Sequence, residues 1–66
     1  MDILRSVNDT CYEGKLFVMK RENGYTPNGN KLDGRWVLRN RKGEWIDFDK
    51  YRNELAERNG LQLGEK

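Results

Sequence analysis

A hairpin turn, a helix start and a helix stop follow one another within residues 34–63, and this run constrains the fold more than any other part of the chain. Its sequence is GRWVLRNRKGEWIDFDKYRNELAERNGLQL. The NRKG tetrapeptide at 40–43 is typical of a type I turn closed by glycine in the left-handed region, which gives a three-residue hairpin loop with a bulge. Such a turn pairs Asn40 with Glu44 and predicts a strand on each side of it.

The bulged turn also predicts which side chains share a face, because facing residues of a hairpin lie on the same side of the sheet. One face collects apolar side chains, namely Trp36, Leu38, Ile46 and Phe48. The other face holds Val37, Arg39, Trp45 and Asp47. A two-residue turn would mix polar and apolar side chains on both faces. The hydrophobic pattern therefore favours the bulged register, with strands at 35–39 and 44–48.

A helix is predicted over 49–59, directly after the second strand of the hairpin. Asp49 is a suitable N-cap, and Asp47 is the alternative because a hydrophobic staple would then accompany it. Gly60 stands where a C′ glycine ends a helix, and Leu61 is placed to fold back on the last turn.

The N-terminal part of the chain gives weaker signals. Residues 11–20 are predicted to form a strand that is apolar on both faces, with Gly14 marking a bulge or a bend. Residues 1–10 fit either a single helical turn packed on the core or a partly ordered segment. At the other end, residues 64–66 are expected to fray.

Residues 22–34 are predicted to form a long loop, since three glycines, three asparagines and the only proline fall within them. Asn-Gly dipeptides at 23–24 and 28–29 are strong turn signals. A loop of this length in a small domain is often functional or mobile. The alternative is a short extra hairpin with Tyr25 and Thr26 between the two turns.

Together these patterns predict one small α+β domain spanning 1–66. Its sheet is three-stranded and mainly antiparallel, with strands at 11–20, 35–39 and 44–48, and the single C-terminal helix packs on one face. A chain of this length buries only about 60% of its unfolded surface, so the core is expected to be small. The predicted core is one face of the first strand together with Trp36, Leu38, Ile46, Phe48, Tyr51, Leu55 and Leu61.

Cys11 is the only cysteine and the chain has no histidine. No intramolecular disulfide can form, and a structural zinc site needs several Cys or His ligands, so we expect no metal and no cofactor. A lone thiol and the lack of an apolar run of about 20 residues indicate a cytoplasmic protein that does not enter a membrane.

Catalytic chemistry has little support in the sequence. Without histidine, Cys11 lacks the usual base of a nucleophile and is interpreted as a structural thiol. Asp47 and Asp49 are close in sequence, but helix capping accounts for at least one of them. Residues 29–34 lack the glycine spacing and the Lys-Ser/Thr end of a phosphate-binding loop. We therefore expect a protein that is not an enzyme.

Positive charge is concentrated in the middle of the chain. Residues 15–43 carry eight basic and two acidic side chains, whereas the segments before and after them are net acidic. This dipolar pattern suits surface recognition. The cations on or near the predicted hairpin are Arg35, Arg39, Arg41 and Lys42.

Two binding functions fit this arrangement. The first is a protein-binding module, either homodimeric or bound to another protein, that acts through the sheet face around Trp45. One helix leaves the second face of the sheet bare, and an exposed apolar patch marks an interaction site. The residues assigned to this site are Val37, Arg39, Arg41, Lys42 and Trp45. The alternative is a nucleic-acid-binding protein in which Trp45 stacks on a base while the hairpin cations, Arg35 included, hold phosphates. A third interpretation stays open, in which Arg39 merely covers Trp45 by a cation–π contact.

The segment GEWIDFDKYRNELAERNGL, residues 43–61, resembles the tails of short uncharacterised proteins encoded by phages and prophages of enteric bacteria. The shared pattern is a hairpin, an acidic cap, Tyr-Arg, Leu and Asn-Gly, over about a third of the chain. The resemblance implies a compact intracellular protein that binds a host protein or acts on nucleic-acid transactions by occupying a surface. It assigns no functional residue.

Overall fold

The computed structural model describes residues 2–64, and this part of the chain forms six strands in one sheet and a single short helix. In chain order these are β1 (Ile3–Asn8), β2 (Cys11–Glu13), β3 (Phe17–Glu22), β4 (Arg35–Asn40), β5 (Trp45–Asp49), α1 (Arg52–Arg58) and β6 (Gln62–Gly64). The strand order across the sheet is β5-β4-β3-β2-β1-β6. Neighbouring strands are antiparallel except β1 and β6, which are parallel.

The prediction of a three-stranded, mainly antiparallel sheet is therefore wrong. The segment 1–10 contains β1, rather than a helical turn or a partly ordered terminus. The predicted strand 11–20 is two strands, β2 and β3, that pair with each other. Of the predicted frayed tail 64–66, Gly64 belongs to β6, and residues 65 and 66 lie outside the described residues.

The break between β2 and β3 has a local cause at Gly14. Its N–H donates a hydrogen bond to the Phe17 carbonyl at 2.8 Å, which closes the turn. The Asp2 carboxylate accepts hydrogen bonds from the N–H groups of Lys15 at 3.0 Å and Leu16 at 2.9 Å. A Cβ at position 14 would collide with the Asp2 and Leu4 side chains, so glycine allows this close approach without displacing them.

The β4–β5 turn forms as the sequence predicts. The Asn40 N–H donates to the Glu44 carbonyl at 3.1 Å, and Gly43 has φ 87°. Arg39 faces Trp45, again as predicted. The turn sequence was therefore sufficient to predict the register of the residue pairs next to the turn.

The predicted register fails beyond those pairs, because β5 contains a further irregularity. Leu38 faces Asp47 instead of Ile46, and Val37 faces Phe48 instead of Asp47. Ile46 is the extra residue at this shift. A bulge of this kind places two residues of one strand opposite one residue of its partner, and it moves every later pair by one position.

The core lies between the sheet and α1. Its buried members are Leu4, Met19, Trp36, Leu38, Leu55, Ala56 and Leu61, with Tyr12, Phe17 and Leu63 packed against them. The predictions for Trp36, Leu38, Leu55 and Leu61 are confirmed.

For three other residues the prediction that they belong to the core is wrong. Ile46 is 38% exposed because the bulge removes it from the position facing Leu38. Tyr51 is 57% exposed because α1 begins only after it. Phe48 is partly buried, but its ring contacts Trp45 with the centroids 5.7 Å apart, on the face opposite the core.

Helix α1 is shorter than predicted at its start and ends as predicted. Its N-cap residue is Tyr51, without a side-chain cap, so neither Asp49 nor Asp47 is the N-cap. At its end, Gly60 has φ 70°, and its N–H donates to the Glu57 carbonyl at 3.1 Å. The Leu61 N–H donates to the Ala56 carbonyl at 2.8 Å, which completes a Schellman ending.

The segment 22–34 contains the short hairpin that was the alternative to an open loop. Tyr25 and Lys31 form an isolated antiparallel bridge. The Thr26 N–H donates to the Asn30 carbonyl at 2.8 Å, and the Thr26 hydroxyl oxygen accepts from the Asn30 N–H at 3.0 Å. Leu32 is 1% exposed, so this segment is packed against the domain.

Across residues 2–64, no helix is both long enough and apolar enough to pass through a membrane.

Candidate functional site

The sheet face opposite α1 carries the predicted recognition residues of β4 and β5. One row across this outer face runs from Trp45 through Arg39 and Val18 to Glu13. The next row joins Phe48, Val37, Lys20 and Cys11. We define the Trp45 surface as the cluster of Trp45, Phe48, Arg39 and Glu22.

Arg39 is the central residue of the Trp45 surface. Its guanidinium carbon lies 5.6 Å from the Trp45 ring centroid, which is cation–π distance. Its Nε and Nη2 donate to the two carboxylate oxygens of Glu22 at 2.9 and 3.1 Å. Its Nη1 donates to the Gly43 carbonyl at 2.9 Å. This bidentate pair holds Arg39 over the indole and matches its charge.

The same contact changes the titration of Glu22. Hydrogen bonding to Arg39 holds the pKa of this carboxyl below its ordinary value, despite the opposing effect of partial burial. Arg39 in turn has its pKa raised by the hydrogen bond to Glu22. Both groups are therefore charged at neutral pH, and the pair adds no net charge to the outer face.

The predicted site residues do not all belong to this surface. Val37 is 0% exposed and cannot contact a partner. Arg41 lies in the turn, where its Nη1 contacts the Glu13 carboxylate at 3.1 Å. Lys42 is exposed in the same turn. Arg35 lies at the opposite end of β4, so the structure does not bring it together with the turn cations.

The two aspartates of β5 act as a clamp on α1. Arg58 donates from Nε to Asp47 and from Nη1 to Asp49, both at 2.9 Å. Its Nη2 also donates to the Phe48 carbonyl at 2.9 Å. These contacts fix the helix to the edge strand, so the two carboxylates are engaged in structural contacts.

The pKa values of both aspartates lie below the ordinary range. Burial raises the pKa of Asp47, but hydrogen bonds from Arg58 and Asn59 outweigh that effect. The hydrogen bond from the Tyr51 N–H is the largest cause of the lowered pKa of Asp49, and Arg58 adds to it.

Cys11 lies on the outer face across from Lys20 and is partly buried. Burial raises the pKa of its thiol, and the nearby Glu13 carboxylate raises it further. A thiol of this kind is a poor nucleophile at neutral pH. Within the described part of the chain, no three His, Cys, Asp or Glu side chains come together as metal ligands.

A cleft at one end of the sheet was not predicted. It has a volume of about 480 Å³. It is lined by Arg21, Asp33, Gly34, Arg35, Trp36, Lys50 and Tyr51, and we call it the Arg21–Tyr51 cleft. Arg21 faces Trp36 across β3 and β4, and Trp36 faces Asp49 on β5.

The sequence held a partial signal for this cleft. Arg21 and Arg35 flank the segment 22–34, and Lys50-Tyr51 follows the last residue of β5. Only the pairing of β3, β4 and β5 brings these separate cations to one place. No spacing rule applied to a single segment would have found them.

A comparison of the chain with known protein families, curated proteins and solved structures finds no match. The resemblance of residues 43–61 to phage and prophage proteins therefore stays a prediction.

Proposed function

We propose that this chain is a small cytoplasmic, non-enzymatic protein-binding module that uses the Trp45 surface. The proposal rests on one observation, the placement of Arg39 over Trp45 with its charge matched by Glu22. Trp and Arg are the residue types that most often dominate protein–protein binding energy. A guanidinium that is already paired can be covered by a partner without leaving a buried charge unmatched.

The aromatic residues of this surface are only partly covered by the chain itself. Trp45 and Phe48 are both partly exposed, and their rings pack at an angle of 49°. An aromatic pair beside a fixed guanidinium offers a partner a rigid contact area, so little side-chain freedom is lost on binding.

Recognition at this place would use side chains and not strand addition. β5 is an edge strand of the sheet, but Arg58 already occupies the Phe48 carbonyl. An occupied carbonyl is not available to an added strand. The partner is therefore a protein that places a surface over Trp45. It is either a second copy of this chain or a different protein, such as a host protein in the case of a phage-encoded chain.

A protein partner fits this surface better than nucleic acid does. Two of the hairpin cations, Arg39 and Arg41, are paired with Glu22 and Glu13. Phosphate binding relies on cations whose charge is not already matched, so the pairing lowers the electrostatic attraction of the hairpin for a nucleic-acid backbone.

The first test replaces Trp45 by alanine and compares it with Tyr25→Ala. Tyr25 is 68% exposed and is not a member of the Trp45 surface, so its loss removes an exposed aromatic ring from the 22–34 segment. Sedimentation over a range of concentrations measures self-association. If the chain is a dimer, Trp45→Ala should weaken it roughly thirtyfold, the effect of losing a hot-spot residue. Tyr25→Ala should leave it unchanged.

If the wild-type chain is monomeric, affinity capture from a host lysate replaces sedimentation. The expected result is a protein retained by the wild type and by Tyr25→Ala and lost with Trp45→Ala. Circular dichroism of each variant checks that the fold is intact. A monomer for which no captured protein depends on Trp45 would contradict the proposal.

A further inference from the structure

We propose that the Arg21–Tyr51 cleft binds a nucleotide, with its phosphate between Arg21 and Lys50 and its base on Tyr51. This site does not use the Trp45 surface, and the two proposals stand independently. The cleft volume of about 480 Å³ falls within the range of small-molecule sites in proteins.

The charge of the cleft favours an anion. Its lining contains three cations, Arg21, Arg35 and Lys50, and one carboxylate, Asp33. Among residues 2–64, the ion pairs involve Arg39, Arg41 and Arg58, and none involves a cation of the cleft. The lining therefore carries a net positive charge, and none of its cations is part of an ion pair within residues 2–64.

The two guanidinium groups are held in place by backbone carbonyls. Arg21 donates from Nε to the Gly34 carbonyl at 2.8 Å. Arg35 donates from Nη1 to the carbonyls of Lys31 and Leu32 at 3.0 and 3.2 Å. These bonds orient each fork without neutralising it. Arg21 shares a face of the sheet with Trp36 and keeps further N–H donors for a ligand in the cleft, whereas the side chain of Arg35 lies on the same face as Val37 and Arg39. Arginine forks bind phosphate well because several donors meet its oxygens in one plane.

Gly34, in the lining of the cleft, leaves room for the Arg21 side chain. Gly34 has φ 80°, and a Cβ there would lie 3.1 Å from the Arg21 Nη2. Asp33, beside it, has φ 52°, which is unusual for a residue other than glycine. Backbone held in this region is concentrated at functional sites in proteins.

The aromatic lining distinguishes a nucleotide from a simple anion. Tyr51 lines the cleft and is 57% exposed, and the Lys50 Nζ lies 5.6 Å from its ring centroid, so a base stacked on this ring would lie beside an ammonium group. Trp36, 7% exposed, forms another part of the lining. A base stacked on an exposed aromatic ring beside cations is a common mode of nucleotide binding. The Asp33 carboxylate would accept a hydrogen bond from a base amino group or a sugar hydroxyl, whereas it would repel a bare phosphate.

The test follows backbone amide signals by nuclear magnetic resonance during titration with four probes. These are adenosine monophosphate, adenosine, inorganic phosphate and a short oligothymidine. The expected result is that adenosine monophosphate shifts the amides of Gly34, Arg35 and Tyr51 at lower concentration than adenosine or phosphate alone. If oligothymidine binds more tightly than the mononucleotide, the ligand is a single strand. If it does not, the ligand is a free nucleotide.

Two variants and a control locate the binding. Lys50→Gln removes a phosphate contact and Tyr51→Ala removes the stacking ring, and each should weaken adenosine monophosphate binding about tenfold. Both side chains are exposed, so the fold should persist. Lys42→Gln removes the same charge from the hairpin turn and should leave binding unchanged.

Three outcomes would overturn the proposal. The first is that neither adenosine monophosphate nor oligothymidine shifts the cleft amides. The second is that Lys42→Gln weakens binding as much as Lys50→Gln, which would show general charge attraction. The third is that an acidic peptide shifts the same amides at lower concentration than any nucleotide.

Discussion

Arg58 connects three acceptors of β5 to the end of α1. Its guanidinium meets two carboxylates, Asp47 and Asp49, and one carbonyl, Phe48. Residues four apart on a helix are neighbours, so the local partner available to Arg58 is Glu54. The nonlocal contacts form instead, since the Asp47 and Asp49 carboxylates both lie within hydrogen-bond distance of this one guanidinium.

The contacts of Arg58 with Asp47 and Asp49 predict how the stability of the fold depends on pH. The pKa values of Asp47 and Asp49 are lowered in the folded chain. A carboxyl whose pKa falls on folding stabilises the fold above its unfolded pKa, and this contribution is lost as the pH falls through the folded value. The free energy of unfolding of the wild type should therefore decline below about pH 4.

Replacing Arg58 by glutamine tests this linkage. Without the guanidinium, the pKa values of the two aspartates rise towards their ordinary value. The variant should be less stable than the wild type at neutral pH, and the difference should shrink at about pH 3, where the carboxylates become protonated. Urea unfolding followed by tryptophan fluorescence measures both conditions. If Arg58→Gln is less stable than the wild type by the same amount at both pH values, the stabilising contacts of Arg58 with the two aspartates are ruled out. Lys42→Gln is the control, because it removes one positive charge from the hairpin turn.

At the scale of elements, α1 depends on its C-terminal ending more than on its start. The helix has only seven residues and no side-chain N-cap, whereas its Schellman ending is complete. That ending places Leu61 in the core and directs the chain into β6. Gly60 permits the ending because its φ of 70° is strained for any residue with a Cβ.

Gly60→Ala should lower the free energy of unfolding by about 1 kcal/mol, the cost of placing alanine in the left-handed region. A Cβ at Gly60 meets no atom within 4 Å, so backbone strain alone should produce the effect. Gly24→Ala is a matched control, because that position is equally open and its φ is not in the left-handed region. Urea unfolding that shows equal losses for both variants would contradict this account.

The elements that sequence predicted correctly are those fixed by local chemistry. The NRKG turn at 40–43 and the glycine ending at 60 each depend on a few adjacent residues, and both form as predicted. The second bulge, at Ile46, could not be predicted from the turn, because it lies beyond the residue pairs whose register the turn sets. Its consequence is that Trp36 faces Asp49.

The missed strands depend on contacts between distant parts of the chain. β6 has three residues and pairs in parallel with β1 from the opposite end of the sequence. Alternation over three residues carries almost no signal. The Arg21–Tyr51 cleft was missed for the same reason, whereas the contact between Arg39 and Trp45 was predicted because both flank one turn.

At the scale of the whole molecule, α1 joins the two edges of the sheet. β5 and β6 lie at opposite ends of the strand order, and α1 contacts both of them and β4. The core cluster takes residues from β4, α1 and β6, and β5 is joined to α1 by the contacts of Arg58. A domain built this way is expected to unfold as one unit, because opening either edge exposes the same core.

Removal of residues 62–66 tests this coupling. Loss of β6 uncovers Leu4 on β1, and we expect faster hydrogen exchange at the amides of Val37 and Leu38 on β4, four strands away from β6 in the sheet. Removal of residues 65 and 66 alone keeps β6 and should leave these amides protected. Faster exchange confined to β1 would show that the two halves of the sheet open separately.

The Arg58 contact with Phe48 has a further consequence for concentrated solutions of the protein. Exposed strand edges are where folded sheets nucleate fibrils and other aggregates. Here one edge carries a bulge and an occupied carbonyl, and the other is a strand of three residues. Neither edge offers a long regular template to another molecule. Loss of the Arg58 side chain should therefore promote fibril growth from the native state as well as lowering stability.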